Sequence, residues 1–122
     1  MSGKYLLDTN VFINAIERQL RLPAAHYVFS VITELELLAF PSLPSDEEQA
    51  IKAILSQLTR VELDNQVRNA TIVVRRTTQM KLPDSVISAS AFVTAATLVT
   101  DDAKLAAKHA GDVISLDTLL SR

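Results

Sequence analysis

The sequence predicts an α/β protein: a three-layer α/β/α domain with a mainly parallel central sheet of about five strands. Three observations lead there. Short runs rich in apolar, β-branched and aromatic residues alternate with longer stretches of helical spacing. Such alternation builds parallel sheets with helices on both faces. The helical stretches are also bounded by the residues that start and stop helices, so the punctuation agrees with the periodicity.

KYLL, residues 4 to 7, is a short apolar run that suits a buried strand, and it ends at Asp8-Thr9-Asn10. NVFINAIERQL follows with helical spacing through Val11, Ile13 and Ile16, before a turn around Pro23. HYVFSVI reads as a second strand and runs into ITELELLAF, a helix stopped before Pro41. PSLPSDEE is a turn, and Ser45 with Glu48 three residues on forms a capping box that opens a helix through Leu58. RVEL is a third strand and NQVRNATIVVRRTTQ a long helix. Pro83 then sits where a first helical turn accepts proline, opening a helix, DSVISASAFVTAA, that is small and apolar nearly all round and therefore central. TLVT is a fourth strand, DDAKLAAKHA a helix ended by Gly111, and VISL a fifth strand before a short last helix.

The whole chain, residues 1–122, fits one domain with a buried core. With 48% hydrophobic and 21% charged residues, it is too apolar for a disordered protein. No apolar run approaches the roughly 18 residues of a membrane span, and MSGKYLLD lacks the pattern of a signal peptide. Cysteine is absent, which excludes disulfides, thiolate metal sites and cysteine nucleophiles and favours a cytoplasmic location. A net charge of −2 argues against a large nonspecific nucleic-acid surface, but a cluster of acids around bound cations would contribute such a balance itself.

In a parallel sheet the functional edge lies at the carboxyl ends of the strands. Asp8 follows the first strand, and Asp101 and Asp102 follow the fourth. Asp84 starts the small-residue helix, and Glu36 lies in the helix after the second strand, between Leu35 and Leu37. Each has an ordinary alternative role. Asp8 and either of the aspartates at 101 and 102 could cap the helix that follows, and Asp84 could be a first-turn acid favoured by the helix dipole. Glu34 competes with Glu36, and two residues apart on a helix they point to nearly opposite sides. If the acids converge, repulsion raises their pKa values unless cations hold them ionised, and oxygen-only ligands select a hard ion such as Mg²⁺ or Mn²⁺.

These segments resemble the PIN-domain ribonucleases, and within them the VapC-like toxins. KYLLDTNVFI is similar to the family's opening motif, SVITELELLAFP to the second, KLPDSVISASA to the third and ATLVTDDAKL to the fourth. By this resemblance the family's four acids fall on Asp8, Glu36, Asp84 and Asp102, with Thr9, Asn10, Thr100 and Asp101 supporting them. Ser85, Ser88 and Ser90 stand where alanine or threonine is commoner. The resemblance implies a PIN-like fold and an Mg²⁺- or Mn²⁺-dependent endoribonuclease that cuts tRNA or rRNA and inhibits translation. It also implies a cognate antitoxin and a homodimer.

Arg68, Arg75 and Arg76 share a face of the long helix, with Lys81 just beyond, and could hold RNA phosphates or form a solvated surface. His26 reads as a strand-edge residue and His109 as a last-turn cation. Leu35, Leu38, Phe40 and the Val/Ile face of the long helix read as core, or as a dimer or antitoxin surface. Two rival functions remain: a catalytically silent PIN-like binding module, and a receiver-like phosphoacceptor. The receiver needs a lysine after the fifth strand, where this chain has Ser115-Leu116-Asp117.

Overall fold

The computed structural model describes residues 3–122, so Met1 and Ser2 of the N-terminal stretch lie outside the described residues. Five strands form one sheet: β1 (Lys4–Leu7), β2 (His26–Ser30), β3 (Thr59–Val61), β4 (Thr97–Val99) and β5 (Val113–Ile114). Their order is β3-β2-β1-β4-β5, and every pairing is parallel. The helices are α1 (Thr9–Glu17), α2 (Val31–Leu38), α3 (Ser45–Ser56), α4 (Asn65–Thr78), α5 (Leu82–Val93), α6 (Ala103–Lys108) and α7 (Leu116–Leu120). Receiver-like domains run 2-1-3-4-5, so the strand order removes that rival.

Alternate residues along a strand face opposite sides of the sheet, and two cores result. Leu6, Val28 and Leu98 pack with Val67, Val86, Ile87 and Leu105 of α4, α5 and α6. Tyr5, Leu7, Phe29 and Val99 pack on the other side with Val11, Phe12, Leu55, Leu116 and Leu119 of α1, α3 and α7. The sheet therefore has helices on both faces, which is why its strands are apolar at successive positions. From β1 the chain builds outward to β2 and β3, then crosses back to β4 on the other side of β1. That reversal makes the crevice beyond the ends of β1 and β4 the topological switch point.

Several local expectations need correcting. The second strand stops at Ser30 because its side chain accepts the Ile32 amide at 3.1 Å and caps α2 there. Ser45 does not form a capping box. Pro44, held extended at φ −61° and ψ 147°, occupies the cap position, and its carbonyl accepts the Glu48 amide at 2.9 Å. Leu35 and Phe40 are 57% and 60% exposed rather than core. On α4 the buried stripe runs through Val67 and Thr71, leaving Ile72 and Val73 on the outer side. Helix α6 ends at Lys108, ahead of Gly111, where His109 turns extended and tucks its ring inside. Among the described residues, no helix is long and apolar enough to cross a membrane.

Candidate metal and nuclease site

Asp8 directly follows β1, and its backbone amide continues the sheet by donating to Val99 at 3.0 Å. Its side chain caps α1, with Oδ1 accepting the Thr9 amide at 2.8 Å and Oδ2 accepting the Thr100 hydroxyl at 2.7 Å. At 5% exposure this carboxylate is almost removed from water. Burial pushes its pKa up against the pull of those two hydrogen bonds, and the charges of Asp84 and Glu36 push it further. Cap and site member are therefore compatible roles for one residue.

Helix α2 separates its two glutamates. Glu34 points to the outer strand, where both its oxygens accept from Arg60 at 3.2 Å. Glu36 points the other way, and its Oε1 accepts the Thr9 hydroxyl at 2.6 Å. Thr9 is also hydrogen-bonded to the hydroxyl of Thr33, which is fully buried. Thr33 was missed by the sequence reading. Its signal was its place one turn before Glu36 on the same helix face.

Asp84 sits half-buried in the first turn of α5, and its pKa is raised by burial and then by the charges of Asp102 and Glu36. Lys81 opposes that shift from the residue before the helix. The adjacent aspartates divide their work. Asp102 caps α6, its Oδ1 accepting the Lys104 and Leu105 amides at 2.9 and 3.2 Å, while its own amide donates to the Thr100 hydroxyl at 3.0 Å. Asp101 turns away to accept the Leu116 amide of α7 at 3.1 Å and the Asn14 side chain at 3.4 Å. Asn10 accepts the Asp101 amide at 3.4 Å, steadying the same loop from α1.

At the sheet's carboxyl edge Asp84 thus lies within electrostatic reach of Asp8, Glu36 and Asp102, and Asp8 within reach of Glu36. As placed, no three His, Cys, Asp or Glu side chains among the described residues form a closed coordination cluster. The donors are all carboxylate and hydroxyl oxygens, and burial together with mutual repulsion raises the pKa values of Asp8 and Asp84. Both properties fit a hard divalent cation.

The arginines behave differently from Lys81. Arg75 donates its guanidinium to the Met80 carbonyl, closing the end of α4 where Gln79 adopts a left-handed φ of 59°. Arg68 donates to Asn65 on its own helix at 2.6 Å, and Arg76 is exposed. His109 is no last-turn cation. It is 8% exposed, with Nδ1 2.6 Å from the Ser88 hydroxyl, and burial lowers its pKa, which favours the neutral ring.

A family model for the PIN domain matches residues 5–121. No curated protein matches the chain significantly. Among solved structures, the chain is similar to DNA-bound VapBC from Salmonella typhimurium, with a TM-score of 0.80, 20% identity, and 93% and 98% of the two chains covered. VapBC-1 from nontypeable Haemophilus influenzae gives 0.78 and 21%, covering 93% of this chain and 98% of that one. A toxin–antitoxin complex from Klebsiella pneumoniae gives 0.76 and 22%, covering 92% and 97%. With all but the first few residues and the last one inside the family model, the chain belongs to the PIN domain family.

Proposed function

We propose that the protein is a VapC-like toxin: a divalent-metal-dependent endoribonuclease whose substrates are tRNA or rRNA and whose cleavage inhibits translation in the cytoplasm. One observation carries the reading: Asp8 is buried beside two other acids yet held in place by the Thr9 amide and the Thr100 hydroxyl. A carboxylate costly to ionise and fixed in orientation suits a metal ligand better than a helix cap, which needs no burial.

In this reading Asp8, Glu36 and Asp84 hold the principal Mg²⁺ or Mn²⁺, and Asp102 completes the site or holds a second ion. When bound, the metal supplies a water of lowered pKa and stabilises charge on the phosphoryl and leaving oxygens. The chain's own residues orient the acids. Thr100 bridges the first and fourth, donating to Asp8 and accepting from the Asp102 amide. Thr9 ties the first motif to the second through Glu36. Asp101 and Asn10 anchor the loop that carries Asp102.

The similarity to a toxin–antitoxin complex from Klebsiella pneumoniae supports an antitoxin partner. For its surface we assign the apolar groove of about 650 Å³ between α1, α2 and α3, lined by Ile13, Ile16, Leu37, Phe40, Leu43 and Ile51. For a homodimer we assign the α4–α5 surface, where Val73 and Phe92 are 59% and 64% exposed.

The test is cleavage of total tRNA and rRNA by antitoxin-free protein in Mg²⁺, Mn²⁺ or EDTA, alongside Asp8→Ala. Discrete products that need metal and vanish in the variant are expected. Folded protein that cuts nothing under any condition would instead favour the silent binding module.

A further inference from the structure

Beside Asp84 and Asp102 the surface opens into a cleft of about 640 Å³, whose lining also includes Lys81, Lys104 and Lys108. Lys81 precedes α5, whereas Lys104 and Lys108 stand four residues apart on α6, hence on one face of that helix. The three lysines thus line one cleft from two elements, beside the two carboxylates, in a chain whose net charge is −2. All three lysines are exposed, and among the described residues none forms an ion pair. The concentration of lysines is therefore local, and no carboxylate among the described residues holds them in an ion pair. By contrast, the apolar groove on the other side of the molecule contains Glu17 and Glu47 and no cation.

We propose that Lys81, Lys104 and Lys108 form the substrate-strand grip, holding backbone phosphates of the RNA that flank the bond placed at the acids. This rests on the nuclease reading above and assigns to that site which side the strand crosses. Lysine suits the role because a flexible ammonium contacts phosphate as a point charge without demanding a fixed angle. A phosphodiester strand fits the cleft better than an acidic peptide. Its phosphates would meet the lysines, and a cation held by Asp84 and Asp102 would screen the two carboxylates from the same strand. Arg68 and Arg75 of α4 are poorer candidates, because Arg75 is committed to the Met80 carbonyl and Arg68 to Asn65.

The experiment compares wild type with Lys104→Gln/Lys108→Gln and with Lys81→Gln. Cleavage in Mg²⁺ or Mn²⁺ gives kcat and KM, and binding of a labelled RNA in EDTA gives the dependence of affinity on salt. The double variant should raise KM roughly tenfold with kcat little changed and make the log–log salt slope shallower by about 0.7 per lost phosphate contact. Lys104→Arg/Lys108→Arg should restore both, and Arg68→Gln should change neither. These lysines are exposed, so thermal midpoints should stay at the wild-type value, which separates lost contacts from lost folding. Active wild type with a double variant unchanged in KM and slope would overturn the grip alone. So would a fall in kcat at constant KM, or competition by polyglutamate as effective as by RNA. Wild type that neither cleaves nor binds would overturn the nuclease reading and the grip with it.

Discussion

Replacing Asp8 with asparagine should stabilise the metal-free protein while removing most of its response to Mg²⁺. Asparagine matches the shape of aspartate, and its Oδ1 can keep the Thr9 amide, now at 2.8 Å. Its Nδ2 would donate to the Thr100 oxygen, which already accepts the Asp102 amide at 3.0 Å and has a second lone pair free. The hydrogen bonds largely survive, then, while a 5% exposed charge and its repulsion by Asp84 and Glu36 disappear. A net gain of about 1 kcal/mol in EDTA at neutral pH is expected. For 122 residues the unfolding entropy makes that about 4 °C in midpoint. Mg²⁺ at a hundredfold excess over its Kd should stabilise wild type by about 2.7 kcal/mol, or about 10 °C, and the variant by less than a third of that. The order of the two proteins should thus invert between EDTA and Mg²⁺.

The sign with pH follows from the raised pKa. An acid that binds its proton more tightly when folded destabilises the fold once ionised. In EDTA, Asp8 imposes that penalty fully above its folded-state pKa, and it fades as pH falls through that value toward 3.8, the ordinary one. The advantage of Asp8→Asn over wild type should therefore shrink on acidification. His109 has the opposite effect, since its lowered pKa favours unfolding as pH falls below 6.5, but it is common to both proteins and cancels in the difference. Thermal and urea unfolding at several pH values measure it. A variant less stable than wild type in EDTA, with an equal response to Mg²⁺, would refute the argument.

Thr100→Val removes the donor to Asp8 and the acceptor of the Asp102 amide, so a loss of about 1–3 kcal/mol in urea unfolding and at least tenfold lower cleavage are expected. Asp101→Asn keeps an oxygen for the Leu116 amide and should stay within about threefold of wild-type cleavage, whereas Asp102→Asn should lose about 100-fold or more. Equal losses in the two would remove the distinction drawn between them. Ser88→Ala leaves the buried Nδ1 of His109 without its partner and should cost about 1–3 kcal/mol. In that variant cleavage at saturating metal should change less than stability, because neither residue touches the acids.

Hydrophobic pattern and helix punctuation determined the fold class, since strand and helix periods are local properties of the chain. KYLL and TLVT are apolar at successive positions because both faces are covered, and Pro83 marked the start of α5 because proline lacks the amide a first turn can spare. The same local signals put Asp8 and the Asp101-Asp102 pair just beyond strands. They left the roles of neighbouring acids undivided, because those depend on partners distant in sequence. Glu34 is held by Arg60, 26 residues away, and Glu36 by Thr9, 27 residues away in the opposite direction. Asp101 is drawn off by Leu116 while Asp102 stays toward Asp84. His109 reads as a helix-end cation until α5 presents Ser88 to its ring, and burial then makes neutrality cheaper than charge. Lys104 and Lys108 carry no local signal at all. Only the packing of α6 beside α5 turns two surface lysines into the rim of a cleft shared with the acids.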